Sequence, residues 1–200
     1  ANIHSGIFMN GQVVLYQGER VYSSEIPTET VERFHQMVKE DGYGLTAYND
    51  KEFYLVESSA GAKDAYGFIH TNPPALNADF YKENPINMML FISLPPAEEK
   101  YKVAFPNLDF LRNTPYSVDV ISKGNSKAEG IKRFLEHLDQ EDAETYAFGD
   151  GPNDIEMLQA VTHPVAMGNA LPVLKEIAEF ITTNNTDNGI VNGLKHYGLI

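Results

Sequence analysis

The chain has 200 residues, 42% of them hydrophobic, and no cysteine. That length suits one large domain or a core with a smaller inserted one, and it leaves no route to disulfides or thiolate metal sites. Its formal charge is −13, so it repels nucleic acid and anionic membrane surfaces, and an anionic ligand must be drawn in by a local site.

No apolar run approaches the ~18 residues of a membrane span and no signal-like start is present, which makes the cytoplasm the default location. Asn184-Asn185-Thr186 has the form of a glycosylation acceptor, but without a secretory signal it reads as a polar turn. At the start of the chain, Asn10-Gly11 lies between Ile7-Phe8-Met9 and Gln12-Val13-Val14-Leu15, a type I′ hairpin signal. Gln17-Gly18 turns the chain again before Arg20-Val21-Tyr22, so a small antiparallel meander is expected. Pro27-Thr28 opens a helix to about Asp41, with Val31, Phe34, His35 and Val38 on one stripe. His35 reads as a packed histidine of that stripe rather than a ligand. Leu45–Tyr48 and Phe53–Val56 form a hairpin across Asn49-Asp50. Gly61, Gly67, Pro73, Pro74 and Pro85 break every pattern between 57 and 85, apart from a short helix around Ala60–Phe68. Ile86–Leu94 is a buried strand, and a helix over Ala97–Ala104 follows Pro95-Pro96. Leu108–Arg112 and Ser117–Ile121 are strands flanking Asn113-Thr114-Pro115.

From there the rhythm changes. Strands at Val118–Ile121, Tyr146–Phe148, Val165–Met167 and Phe180–Thr182 alternate with helices at 126–138, from 154, at 171–179, and over Ile190, Leu194 and Tyr197. Strict alternation predicts a parallel sheet with right-handed crossovers and a ligand beyond the C-terminal strand ends. The fold class is therefore α/β: a Rossmann-like parallel core with an inserted α+β unit. Residues 1–23 form a core hairpin segment, 24–115 the insert, and 116–200 the rest of the core.

One of those strand ends carries Gly149-Asp150-Gly151-Pro152-Asn153-Asp154. The strand-to-helix turn offers backbone N–H groups and a helix dipole to an anion, and Asp150 and Asp154 offer the hard oxygens that Mg²⁺ prefers. Upstream, Ser126-Lys127-Ala128-Glu129 has capping-box spacing and opens the helix bearing Ile131, Phe134, Leu135 and Leu138. Lys127 falls in the first helical turn, where a cation opposes the dipole at about 0.3–1 kcal/mol. It follows the strand before the one feeding Asp150, and consecutive βα units are usually neighbours. An ammonium and a divalent metal around one crevice stabilise a phosphoryl group in transfer. A calcium loop is excluded here, where Pro152 occupies the third ligand position, and at Asn184–Gly189, which lacks the acidic first position and has Lys195 where the bidentate glutamate is needed.

These segments together resemble the haloacid dehalogenase-like phosphatases, in their Cof-type branch with a type IIB cap. Gly149–Asp154 with Met157-Leu158 is similar to the fourth motif of that family, and Lys123-Gly124-Asn125-Ser126-Lys127 to its third. Val165-Ala166-Met167-Gly168-Asn169-Ala170 and Asp187-Asn188-Gly189-Ile190 are similar to its C-terminal segments, and Asn10-Gly11 to the hairpin preceding the cap. The resemblance implies a Mg²⁺-dependent hydrolysis of small phosphorylated metabolites such as sugar phosphates. It implies that Asp150 binds the metal and that Asn153 touches the phosphate or steadies the metal's water shell. Asp154 supports the metal or orients Lys127, Lys127 contacts the phosphoryl oxygens, and Gly149 and Gly151 allow the tight turn. The insert at 24–115 is then the cap that selects substrates.

The family's nucleophile is an aspartate of an Asp-x-Asp-Gly-Thr segment, and no Asp-x-Asp occurs in the 200 residues. Ala1 is not an initiator, and nothing before Ile7 supplies a first core strand. The expectation is an incomplete phosphatase that needs an N-terminal segment of the same protein and is inactive alone. The alternatives are a non-catalytic remnant that binds phosphate metabolites and an interaction module that keeps only the scaffold.

Overall fold

A computed structural model describes residues 4–200; Ala1–Ile3, the start of the expected 1–23 segment, lie outside the described residues. The chain forms two compact units, one ending at Asn125 and the other comprising Ser126–Ile200. Among the described residues no helix is long and apolar enough to cross a membrane.

The first unit begins with the antiparallel meander β1 (Gly6–Phe8), β2 (Val13–Tyr16) and β3 (Glu19–Ser23). The type I′ assignment moves. Phe8 pairs with Val13 across four residues, and Met9, Asn10 and Gly11 all have positive φ. The two-residue turn is Gln17-Gly18, with φ of 51° and 86° between paired Tyr16 and Glu19, the backbone signature of type I′.

The chain continues through α1 (Thr28–Asp41), β4 (Gly44–Tyr48), β5 (Phe53–Glu57), α2 (Ala62–Phe68), α3 (Phe80–Glu83) and β6 (Met88–Ile92). It closes with α4 (Glu98–Ala104), β7 (Leu108–Thr114) and β8 (Ser117–Ser122). The five strands form one antiparallel sheet in the order β5-β4-β6-β8-β7. Val31, Phe34 and Val38, spaced to share one face of α1, are fully buried with Leu45, Ala47, Met89, Phe91, Tyr101 and Val120. Phe34 lies 5.0–5.7 Å, ring to ring, from Phe91, Tyr101 and Phe105. His35 is half-buried and bonded at both ring nitrogens, to Glu57 at 3.1 Å and Tyr81 at 3.3 Å.

β8 corrects the sequence reading. Val118–Ile121 was expected to start the parallel core, but it pairs antiparallel with β6 and β7. The antiparallel sheet thus runs past the expected boundary at 115. The reason is physical: β8 is buried at four of its six residues, and a strand covered on both faces reads as a near-continuous apolar run whichever way its neighbours point.

The second unit contains α5 (Lys127–His137), β9 (Tyr146–Gly149), α6 (Ile155–Ala160), β10 (His163–Ala166), α7 (Pro172–Ile177), β11 (Phe180–Ile181) and α8 (Gly189–His196). Its sheet is parallel, in the order β11-β10-β9, as the alternation predicted. Ala147, Leu158, Ala166, Met167, Ala170 and Leu174 form its buried core.

Candidate active site

The site is built where β9 ends. Ala147 and Gly149 are buried along this short strand, the chain turns at Asp150-Gly151, and one 3-10 turn (Pro152–Asp154) leads into α6. Pro152 fits the first helical position because its missing N–H would have no intrahelical partner there. Asp154 is only 5% exposed. Its Oδ2 accepts the backbone N–H of Asp150 at 3.0 Å and of Gly151 at 3.1 Å. Its Oδ1 accepts the Lys127 ammonium at 2.5 Å. A buried carboxylate is tolerable when its oxygens are occupied by donors and a countercharge.

Two sequence expectations change in detail. The turn was expected to present free amides to an anion, yet Asp154 itself occupies the N–H groups of Asp150 and Gly151. Gly149 and Gly151 were expected to allow the tight turn, and neither has positive φ. Gly149 is needed for space: a Cβ there would lie 2.7 Å from the Asp154 Cβ. At Gly151 a Cβ would come closest to the Asn153 Oδ1, at 3.0 Å, which places the Asn153 side chain back over the turn.

Lys127 is the first residue of α5. The Ser126 Oγ caps the helix by accepting the Glu129 N–H at 3.3 Å. The reciprocal half of the capping box is not made by Glu129, whose carboxylate accepts from Arg133 at 3.1 Å instead. Lys127 does not reach Asp154 by way of a parallel strand before β9, since β8 lies in the antiparallel sheet. It does so because α5 packs beside α6, where Ile131 and Leu135 of α5 share a groove with Glu156 and Ala160 of α6. The Lys127 side chain remains 30% exposed, leaving room for further contacts beside its bond to Asp154.

Asp150 is exposed on the outer side of the turn. Its Oδ2 accepts the Asn169 side-chain N–H at 2.7 Å. Asn169 was visible in the sequence only as part of a family segment. Its place at the C-terminal end of β10, beside β9, is the signal that could have singled it out. Lys127 thus meets, through Asp154, the turn that carries Asp150 and Asn153.

Metal fit follows from the donor set. Among the described residues no three His, Asp or Glu side chains gather, and Asp154 is already committed to Lys127 and two amides. Within Gly149–Asp154, Asp150 presents the exposed carboxylate. That suits Mg²⁺, which usually takes one or two protein carboxylates and keeps several waters; it does not suit an all-protein cage.

The turn that ends parallel strand β9 brings Asp150 and Asp154 together with Lys127 from the start of α5, and comparison with known proteins names the class. The family model for haloacid dehalogenase-like hydrolases matches residues 2–194, and the chain belongs to that family. It is 36% identical to the YkrA protein of Bacillus subtilis (strain 168), over 99% of this chain and 77% of YkrA. A solved Geobacillus kaustophilus HTA426 protein is 32% identical, with a TM-score of 0.88 over 99% of this chain and 78% of its own. The subclass IIB sugar phosphatase BT4131 is 28% identical, with a TM-score of 0.84 over 99% and 77%.

Proposed function

We propose that the protein is a Mg²⁺-dependent phosphatase of small phosphorylated metabolites, with sugar phosphates as the favoured class, working in the cytoplasm. The observation that carries this reading is the Lys127 ammonium fixed on buried Asp154 in the turn that presents Asp150. The likeness to a IIB sugar phosphatase supports the substrate class.

The residues divide the work. Lys127 has three N–H donors and gives one to Asp154. The others are available to phosphoryl oxygens, where a fixed positive charge stabilises the charge spread over the transferring group. Asp154 acts as the orienting residue: it holds Lys127 and closes the turn. Of the two roles open to it, metal support is the weaker, because both its oxygens are occupied. Asn153, on the same turn, would contact the phosphate. Asp150 would hold Mg²⁺, which supplies charge neutralisation to the phosphoryl oxygens. The attacking carboxylate is expected from an Asp-x-Asp segment outside these 200 residues, so the 200-residue chain alone should not turn over. The α+β unit that begins near residue 24 and ends with β8 serves as the cap that selects substrates.

The test is phosphate release by the full-length protein with Mg²⁺ across sugar phosphates, nucleotides and phosphodiesters. Turnover of monoesters, fastest on sugar phosphates, is expected. Turnover of diesters alone would refute the reading. Robust Mg²⁺-dependent hydrolysis of p-nitrophenyl phosphate by the 200-residue chain would refute the assignment of the nucleophile.

A further inference from the structure

Asp150 is exposed, yet beyond its N–H bond to Asp154 it is held at two further points. Besides the Asn169 bond to Oδ2, its carbonyl oxygen accepts the Leu171 N–H at 3.2 Å. Both donors belong to the loop that leaves β10. Asn169 is in turn fixed from behind, because its Oδ1 accepts the Asn185 backbone N–H at 3.0 Å. The loop carrying Asn185 is locked to the same place: the Gly168 N–H donates to the Thr183 carbonyl at 3.0 Å. A Cβ on Gly168 would lie 2.7 Å from the Asn184 nitrogen, so only glycine permits this approach. The Lys175 ammonium closes the loop from the other side on the Gly168 carbonyl at 2.6 Å.

The amide of Asn169 is thus oriented by its own two bonds. Its oxygen must face Asn185, so its NH₂ must face Asp150, and the amide flip is settled by the network. A carboxylate on a turn would otherwise rotate about its side-chain torsions. Here one oxygen is committed and the other takes no part in that bond.

We propose that Asn169 is the positioning residue of the metal site, fixing the Asp150 carboxylate so that Oδ1 is presented for a divalent cation. This rests on the reading of Asp150 as the metal-holding residue. Partners that orient a metal-bound carboxylate typically change affinity by about 10- to 100-fold when removed.

The experiment is Mn²⁺ titration of the full-length protein followed by electron paramagnetic resonance, well below the melting temperature of every variant. Asn169→Ala is expected to weaken Mn²⁺ binding at least tenfold. Lys175→Met cuts another tie of the same loop without touching Asp150, and should lower the melting temperature while keeping Mn²⁺ affinity within about threefold of wild type. Equal losses in the two variants would mean that Asn169 only stiffens the loop, and would overturn the proposal. So would an Asn169→Ala affinity within threefold of wild type. Asp150→Ala separates the two levels: its loss of Mn²⁺ binding supports the metal assignment on which the inference rests. Unchanged binding in that variant would overturn both.

Discussion

Asp154→Asn removes a charge from the centre of the site with almost no change in shape. An asparagine offers one acceptor oxygen where the carboxylate offers two. The cheaper arrangement keeps that oxygen on the Asp150 and Gly151 N–H groups and turns the NH₂ toward Lys127. Donor then faces donor, and the 30% exposed lysine swings into water. A hydrogen bond to a charged group contributes about 1.5–3 kcal/mol, and water screens part of it at a half-open lysine. The two backbone bonds fall from charge-assisted to neutral strength, roughly a halving. The sum is about 2–3 kcal/mol, and for a protein of this size each kcal/mol moves the melting temperature by about 2–4 °C. Urea and thermal unfolding of the full-length variant, followed by circular dichroism, should therefore show a loss of about 2–3 kcal/mol. The phosphatase rate should fall with it, by about 10²-fold, because Lys127 is no longer held. A loss below about 0.5 kcal/mol, within the range of ordinary surface substitutions, would refute the claim that Asp154 closes the turn.

Three other outcomes are expected. Gly149→Ala places a methyl 2.7 Å from the Asp154 Cβ; overpacking of this kind should destabilise by about 1–3 kcal/mol in urea titration. Phe34→Ala empties the centre of the antiparallel unit and should lower stability by about 3–5 kcal/mol. The third concerns pH. Arg112 grips buried Glu98 through two 2.6 Å bonds, and these hold the Glu98 carboxyl below its ordinary value of 4.5, against burial, which pushes it up. A lowered folded-state value means the stabilisation is present above the ordinary glutamate range and lost as pH falls through the folded value. The stability gap between wild type and Arg112→Met should accordingly be widest above about pH 4.5 and shrink on further acidification; a gap that is constant with pH would contradict it.

Much of this fold was legible because its signals are local. Periodicity placed α1, and the alternation of strands and helices predicted the parallel pairing of β9, β10 and β11. The failures arose where sequence carries no directional information. β8 is buried on both faces, so its apolar run says nothing about parallel or antiparallel neighbours. α3 is one turn long, too short for a helical period. Asn10-Gly11 carries the commoner I′ pair, but the turn formed at Gln17-Gly18, where the strand register allows only two residues. In the candidate site, Lys127, Asp150, Asn153 and Asp154 stood out in the sequence because their chemistry is distinctive and three of them share one compact turn. The internal use of the turn's amides was not readable, because it depends on which way one carboxylate points. Asn169 was hidden for another reason: an asparagine after glycine reads as an ordinary turn, and its partner lies 19 residues away.

The central claim is that Lys127 stabilises a phosphoryl group in transfer at a Mg²⁺-dependent site. Steady-state phosphate release from a sugar phosphate by the full-length protein, wild type against Lys127→Met, with Mg²⁺ and with EDTA, tests it most directly. The expected result is a fall in kcat of about 10²–10³-fold for Lys127→Met, together with loss of wild-type turnover in EDTA that added Mg²⁺ restores. A Lys127→Met enzyme within threefold of wild type, or full activity in EDTA, would contradict it.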